Sequence, residues 1–474
     1  VSDTEKKTLN KALSRRQALQ LMGGAAGLTA LAACAPVQQG AAPAEGDAGA
    51  PAEAMTAMTV VHRREYFKEM EDQFATAVQE WAGENNVDIE VSTVAAEAFE
   101  DFVAKTIAQV EAGNPPDLIY HVRLAQQLYF YEALSPVSDT VEQAIELYGD
   151  PSFGHFLNNQ IDGEWWAIPY INSGGGEFAR RSLFEEVGIN PLDDLVTWDD
   201  RRNACLEVSD VEAQMYGWGR TVAQSGDGHG LVQQVIHDWG GHITNEDMTE
   251  ITFNSPETME AVGWLTEIYT ADQYADMLPP GVISWTDSSN NEAYLAGNIA
   301  YTGNAASVYA KAKADGNPVF DDTVVLNIPM GPLGEQLIGG GGNGQLHVPR
   351  GAANPDAAKE LALHLLDPEI FLPISLISAG LFLPAYDAYY EMPEVVSAFE
   401  ADANLQRMGE QTQGTYPGLS WPAPPRPFFD AVNAQSVLTD MMAQTIAQGT
   451  SPEDAVAQAT GRIEQIAEEM GALG

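Results

Sequence analysis

The chain has 474 residues, 45% of them hydrophobic, and carries 68 Asp/Glu against 22 Lys/Arg, a formal charge of −46. So acidic a body argues against nucleic acid and anionic membrane surfaces as partners, while its apolar content and length suit a large core divided between two or more domains. There are only two cysteines, and one is committed to another role below, so the sequence excludes an internal disulfide.

The first stretch is an address. Ser14-Arg15-Arg16 precedes a mildly apolar run of Leu, Ala and Gly that ends in Leu31-Ala32-Ala33-Cys34. A twin arginine before such a run matches the export signal of folded bacterial proteins, and the ending resembles the lipobox of bacterial lipoproteins, where cleavage before the Cys leaves that residue to carry lipid. Residues 1–33 are read as a signal peptide and Cys34 as the lipidation site, although Ala18 stands where twin-arginine signals usually carry Phe. A run of about 17 residues this rich in Gly and Ala falls short of the roughly 20 strongly apolar ones of a membrane span. Residues 34–57, mostly Ala, Pro, Gly, Gln and acids, read as a flexible tether. Loss of the signal removes five basic and two acidic residues and leaves 17 against 66, or −49.

Beyond the tether, residues 58–62 show a short strand pattern, and 67–81 place apolar residues at three- and four-residue spacing as a helix does. Residues 89–94 alternate as a second strand, 99–111 return to helix, Gly113-Asn114-Pro115-Pro116 breaks it, and 117–120 form a third strand. Strand, helix, strand, helix, strand predicts an α/β domain with a largely parallel sheet. Helical patterns recur at 255–271, 353–366 and 452–470, with strand-like pieces at 299–302 and 323–328. Cys205 reads as a small buried apolar residue on a helix. The run Gly339-Gly340-Gly341-Gly342-Asn343-Gly344 is either a flexible joint or a place of close backbone approach.

From Ile161 the chain reads I-D-G-E-W-W-A-I-P-Y-I-N-S-G-G-G-E-F-A-R-R-S-L-F-E-E-V-G-I-N, followed by Thr197-Trp198-Asp199-Asp200. This resembles the family 1 extracellular solute-binding proteins of ABC transporters, the group that contains the maltodextrin-binding proteins. Ala112-Gly113 to Asp117-Leu118, the segment Ala293-Tyr294-Leu295-Ala296-Gly297-Asn298-Ile299-Ala300-Tyr301, the helix after Asn354-Pro355-Asp356 and the Thr450-Ser451-Pro452 helix start extend the resemblance over residues 58–474. It implies a two-lobe periplasmic-binding-protein-like fold of type II, each lobe a mixed, largely parallel sheet flanked by helices. By that resemblance residues 58–172 and 300–342 form the N-terminal lobe and 173–299 and 343–474 the C-terminal lobe. The chain would cross between lobes near 172–176, 300–304 and 341–345.

Ligands in open α/β sheets bind beyond the carboxyl ends of strands, which selects residues 62–66, 95–99 and 120–121 in the first lobe. In the second lobe it selects the Gly-rich loop 221–230. A sugar needs flat aromatics for stacking and planar polar groups for paired hydrogen bonds. The ligand-binding residues expected on these grounds are Arg64, Glu65, Tyr66, His121, Ser173, Trp218, Trp239, Trp285, Asn304, Asn343 and Trp421. Arg63 and Arg64 stand out in a chain so poor in cations and leave an acidic sugar or glycerol phosphate open as ligand. His237 and His242 lie five apart and do not share a helical face as a zinc pair would; no metal, cofactor or catalytic residue is expected.

The reading that follows is the lipid-anchored, monomeric solute-binding component of an ABC importer, on the periplasmic or outer face of the cell membrane. Its ligand would be a mono- or oligosaccharide, and its partners the transmembrane permease subunits. The alternatives are a secreted glycoside hydrolase and a two-lobe binder of another solute, including ferric iron held by tyrosines such as Tyr389 and Tyr390. The surface charge yields a first prediction: the melting temperature rises between low and high ionic strength as self-repulsion is screened, and an unchanged value contradicts that account.

Overall fold

In the computed structural model, which describes residues 56–65, 68–94, 99–122 and 125–473, the first α/β run folds as its periodicity predicts. The expected signal peptide, Cys34 and all of the expected tether but Thr56 and Ala57, which belong to the first strand, lie outside the described residues. Strand β1 (Thr56–Arg63) leads to the helix Lys68–Glu84, whose Met70, Phe74, Ala77, Val78 and Trp81 are buried. Those positions form one stripe of an α-helix, and burial of a side chain such as Phe74 contributes roughly 1.5–3 kcal/mol. Strand β2 (Val87–Val94), the helix Phe99–Glu111 and strand β3 (Leu118–His121) complete the unit.

Seven further strands build two sheets: β4 (Ile168–Asn172), β5 (Gly175–Arg180), β6 (Tyr216–Trp218), β7 (Ile299–Ala305), β8 (Thr323–Leu326), β9 (Gly344–His347) and β10 (Leu383–Pro384). The first sheet runs β10-β4-β9-β3-β1-β2 and the second β8-β5-β7-β6. In the first, β1 pairs in parallel with β2 and β3, while β9 lies antiparallel between β3 and β4. In the second, β5 pairs antiparallel with β7 and β8, and only β6 and β7 run in parallel. The sheets are therefore mixed, and less parallel than expected, because strands that return from the other sheet arrive running the opposite way.

Strand pairing also reverses the expected lobe assignment beyond residue 299. Strands β7 and β8, expected in the first lobe, pair with β5 in the second sheet, and β9 and β10, expected in the second, join the first. Gln345 pairs with His121 and with Pro169, which fixes β9 between β3 and β4. Residues 300–304 lie within β7 and are no crossing. The chain passes between sheets at 173–174 and again between β8 and β9. The helices Pro427–Ala434, Val437–Gln448 and Pro452–Met470 then pack into the core of the second sheet with Trp198, Trp218 and Leu265.

The crossings are locked by contacts that exclude side chains. Asn172 accepts at Oδ1 from the Gly342 N–H and from Ser152 Oγ, each at 2.8 Å, and donates from Nδ2 to the Pro384 carbonyl at 3.0 Å. Gly341 and Gly342 have φ of 67° and 74°, and a Cβ at Gly342 would lie 2.1 Å from the Gly154 carbonyl carbon. Of the two readings of this glycine run, close packing is the one that holds. Thr197 caps the helix Trp198–Glu207 with a reciprocal box, its Oγ1 accepting from the Asp200 N–H at 3.1 Å and Asp200 accepting from the Thr197 N–H at 2.9 Å. Cys205 on that helix is fully buried, and burial pushes its thiol pKa up.

Four histidines, His62, His121, His155 and His347, are buried around the first sheet, and burial pushes each imidazole down to about 3. Each stays neutral in the fold but takes a proton near 6.5 once unfolded. Their contribution is therefore intact above pH 6.5 and lost as pH falls towards 3, on the order of 1–2 kcal/mol per imidazole by pH 5. His62 lies 4.3 Å from the Phe74 ring and 4.8 Å from that of Tyr120. His62→Leu, similar in volume and unable to gain a proton, should lose less stability than wild type between pH 7 and pH 5. Calorimetric melts at the two pH values check this, and equal losses refute it.

Candidate functional site

At the carboxyl end of β1 two consecutive arginines part company, since successive strand residues face opposite ways. Arg64 is exposed and donates from Nη2 to Thr93 Oγ1 at 3.1 Å, beside the end of β2. Arg63 turns inward, and its Nη1 donates to both carboxylate oxygens of Glu65 at 2.8 and 2.7 Å. Glu65 also accepts from the Tyr120 hydroxyl at 3.3 Å, and its side chain is 5% exposed against 19% for Arg63. Burial pushes the Glu65 carboxyl up despite the guanidinium beside it. Arg63, rather than the expected Arg64, is thus the cation held over the end of the first sheet.

On the second sheet's side the helix Gly226–Asp238 is capped by Ser225, which accepts from the Gly228 N–H at 3.1 Å. Asp287, in the loop before the helix Ser289–Leu295, accepts from the Asp227 N–H at 2.9 Å, where the positive end of the helix dipole favours a carboxylate. The Asp227 side chain accepts from Asn290 Nδ2 at 2.7 Å. Its carboxyl is pushed up to about 7, first by burial and then by the charge of Asp287. The Arg63 guanidinium pKa is raised against the effect of its burial, first by the Glu65 carboxylate and in smaller part by the charge of Asp287. Asn304 lies close by and donates from Nδ2 to Asn291 Oδ1.

Beneath this group the second sheet holds a buried ion cluster. Glu177 on β5 accepts from Arg220 Nη1 and from the Tyr301 hydroxyl, with Arg201 Nη1 3.7 Å away. The arginines hold the Glu177 carboxyl below its usual range against the burial that would raise it. Gly303 on β7 leaves room for this arrangement, since a Cβ there would stand 2.3 Å from Arg220 Nη1.

The other expected residues divide. Ser173 and Asn343 meet at the crossings, where the Ser173 N–H donates to Asn343 Oδ1 at 2.7 Å. Trp285 is half-buried two residues before Asp287. Trp421 is half-buried, precedes a cis bond to Pro422, and lies 4.5 Å from the His242 ring and 5.6 Å from that of His237. His237 shares a 2.6 Å hydrogen bond with the Tyr416 hydroxyl, so Trp421, Tyr416 and two histidines form one aromatic group. Trp239 rests 5.1 Å from Trp264 at the rim of the second core. Tyr66 lies outside the described residues.

Two expected residues belong to the cores instead. Trp218 is 0% exposed, its Nε1 donates to the Tyr269 hydroxyl at 3.1 Å, and it packs among Trp198, Trp264 and Tyr301. His121 is fully buried and stacked on Phe102 at 4.5 Å. The short β3 and β6 end inside the body, so the rule of looking beyond strand ends overshoots there. Asp287, Asn290 and Asn291 were missed, since nothing local in Trp285-Thr286-Asp287 distinguishes a site loop from a solvated one. Asp227 falls within the Gly-rich loop 221–230 that was selected, although it was not singled out. Among the described residues no group of three or more His, Cys, Asp or Glu could hold a metal ion. The Tyr389 and Tyr390 hydroxyls are engaged separately, by the carbonyls of Leu366 and Pro384.

Residues 35–406 match the family described as bacterial extracellular solute-binding protein. A probable ABC transporter-binding protein of Deinococcus radiodurans is 24% identical over 215 residues, which cover 44% of this chain and 49% of that relative, so the match spans about half of its length. The fold is similar to an ABC transporter solute-binding protein of Thermotoga lettingae bound with α-D-tagatose, at 17% identity and a TM-score of 0.71, covering 87% of this chain and 99% of the other. It is also similar to maltose-bound MalE3 of T. maritima, at 18% identity and 0.72, covering 87% and 100%. A laminaribiose-bound sugar transporter protein of Arthrobacter chlorophenolicus shows 15% identity and 0.70, covering 86% and 99%. Matched over residues 35–406 and built on two mixed sheets, the chain belongs to the bacterial extracellular solute-binding protein family.

Proposed function

We propose that this protein is the substrate-binding component of an ABC importer, capturing a mono- or oligosaccharide between its two lobes and delivering it to transmembrane permease subunits. It performs no chemistry on the solute. The observation that carries the reading is the match of residues 35–406 to the extracellular solute-binding family, in a chain whose two sheets each hold a cluster of polar side chains, Arg63 with Glu65 at the first and Asp227 with Asp287 and Asn290 at the second. A solute held by both sets is bound fully only when the lobes are together, so binding shifts the open-to-closed equilibrium by its difference in affinity for the two states. The fold neighbours named above, bound with tagatose, maltose and laminaribiose, support carbohydrate as the solute class. Export and lipidation at Cys34 would keep a monomer beside its permease, with the residues between Cys34 and β1 as the tether.

A thermal-shift screen against sugars and polyols tests the reading. A bound solute at about 100 times its Kd adds roughly 2.7 kcal/mol and raises the melting temperature by a few degrees. Recovery of that solute unchanged after incubation separates binding from hydrolysis, and no shift with any carbohydrate overturns the proposed cargo.

Asp227 gives the site a pH signature. Its carboxyl ionises near 3.8 in the unfolded chain and at about 7 in the fold. The cost of keeping it charged is therefore absent below pH 4, grows through pH 4–7 and is constant above. Asp227→Asn retains an acceptor for Asn290 and removes that cost. Its gain in stability over wild type should be larger at pH 8 than at pH 5 by roughly 2 kcal/mol, and melts of both proteins at the two pH values check it.

A further inference from the structure

We infer that Thr221 is a positioning residue for solute capture: its hydroxyl anchors an arch, residues 282–287, that carries Trp285 and Asp287, and so holds both in place at the second lobe. The inference rests on the reading of Asp227, Asp287 and Asn290 as part of the solute site. It goes beyond that reading by naming what keeps the group where it is.

The arch has little packing of its own. Val282 is 3% exposed, but Ile283 is 48% exposed, Ser284 and Thr286 are exposed and Trp285 is half-buried. A segment with so few buried contacts belongs to the part of a fold that opens most easily, so the hydrogen bonds at its two ends decide where it lies. At one end Asp287 accepts from the Asp227 N–H at 2.9 Å. At the other the Thr221 hydroxyl donates to the Val282 carbonyl at 2.7 Å. The same carbonyl accepts from the Trp285 N–H at 3.3 Å, so Thr221 and the backbone of Trp285 share one acceptor.

Thr221 suits this role because it is itself held. It is 2% exposed, and its oxygen also accepts from the Ala223 N–H at 3.1 Å, a double use that a hydroxyl allows. One residue earlier, the Arg220 carbonyl accepts from the Tyr269 hydroxyl at 2.9 Å, and that hydroxyl accepts from Trp218 Nε1 at 3.1 Å within the second core. Ala223 lies so close to Gly228, in the first turn of the helix Gly226–Asp238, that a Cβ at Gly228 would stand 2.0 Å from its carbonyl oxygen. Both ends of the arch are therefore tied to the start of one helix, through the loop that leads into it and through its first turn. Trp285 and Asp287 are presented together, and their ordering is done at folding and not at binding.

Hydrogen exchange of the full chain, without solute, reads the anchor. Thr221→Val keeps the shape of the side chain and removes the hydroxyl, and Asp287→Ala removes the tie at the other end. Each should speed exchange at the Ser284 and Trp285 amides by roughly tenfold, with the helix Pro452–Met470 unchanged. Thr221→Ser keeps the hydroxyl and should exchange as the wild type does. An arch that exchanges at the wild-type rate in Thr221→Val, or a rise there matched in the helix Pro452–Met470, overturns the anchor. Titration calorimetry with maltose, D-glucose, D-tagatose and D-mannitol then reads the positioning. A probe bound by the wild type should bind Thr221→Val roughly tenfold more weakly, with Thr221→Ser restoring the affinity. Equal affinity in Thr221→Val overturns the role in capture while solute binding stands. Silence of the wild type with every probe, when thermal shift also finds no carbohydrate, removes the carbohydrate reading and the positioning role with it, while exchange still decides the anchor.

Discussion

The arrangement of the molecule depends on the contact of chain segments around Asn172. There the end of β4, the turn before β9 and the start of the helix Phe153–Asn159 approach so closely that only glycine fits, with Gly154 against Gly341 and Gly342. The Asn172 side chain replaces the missing bulk with hydrogen bonds to three different segments. Because β4 belongs to the first sheet and the chain runs on from it into β5 of the second, this junction lies where the two sheets are joined. A second tie couples two of the crossing segments. Gly339 bridges Tyr416 in parallel, and Tyr416 reaches on through its hydroxyl to His237 and Gln233. Relative motion of the sheets therefore has to be shared among several segments, each absorbing a small dihedral change, and does not pass through one loose linker.

The distribution of charge has a related logic. The surface carries most of an excess of 46 negative charges, yet several of the few arginines are spent on internal pairs. Arg201 and Arg220 meet at Glu177 beneath the site, Arg180 binds Asp322 at 2.7 Å, and Arg63 is held by Glu65. Buried pairs of this kind contribute little net stability once desolvation is counted, but removal of one partner is costly because a charge is left stranded. Their use here is positional. Arg220 lies against Gly303 and under Asp227, so the floor of the site is set by an ion cluster whose geometry is fixed, and not by aliphatic packing that could settle in several ways.

Much of the fold was legible because local signals agreed. Helical spacing over 67–81, alternation over 89–94, the Gly113-Asn114-Pro115-Pro116 break and the Thr197 cap each point to one structure, and each is found. What was not legible is pairing between distant segments. Residues 299–302 and 323–328 read as strands, but nothing in them says that both join β5, since the partner supplies that information through register, and 344–347 was not read as a strand at all. Facing was the other gap. Between Arg63 and Arg64 a shift of one residue exchanges the inner and outer faces of the strand, and the chosen residue was the outer one. Trp218 and His121 were misplaced for a similar reason, since an aromatic at a strand end serves a core or a site equally well until depth is known.

Those two gaps bear on function differently. An error in pairing leaves the class of protein untouched, because two mixed sheets joined by several crossings result either way. An error in facing changes the chemistry assigned to the site. With Arg64 as the inward residue, the cleft would offer an exposed cation with no acid beside it, which is a site for an anion. With Arg63 inward, the cation comes already joined to Glu65, and the pair is neutral in sum but strongly polar in detail. Such a surface favours a partner that can present donors and acceptors in alternation at short range, and hydroxyls on adjacent carbons do this with little reorganisation of either side.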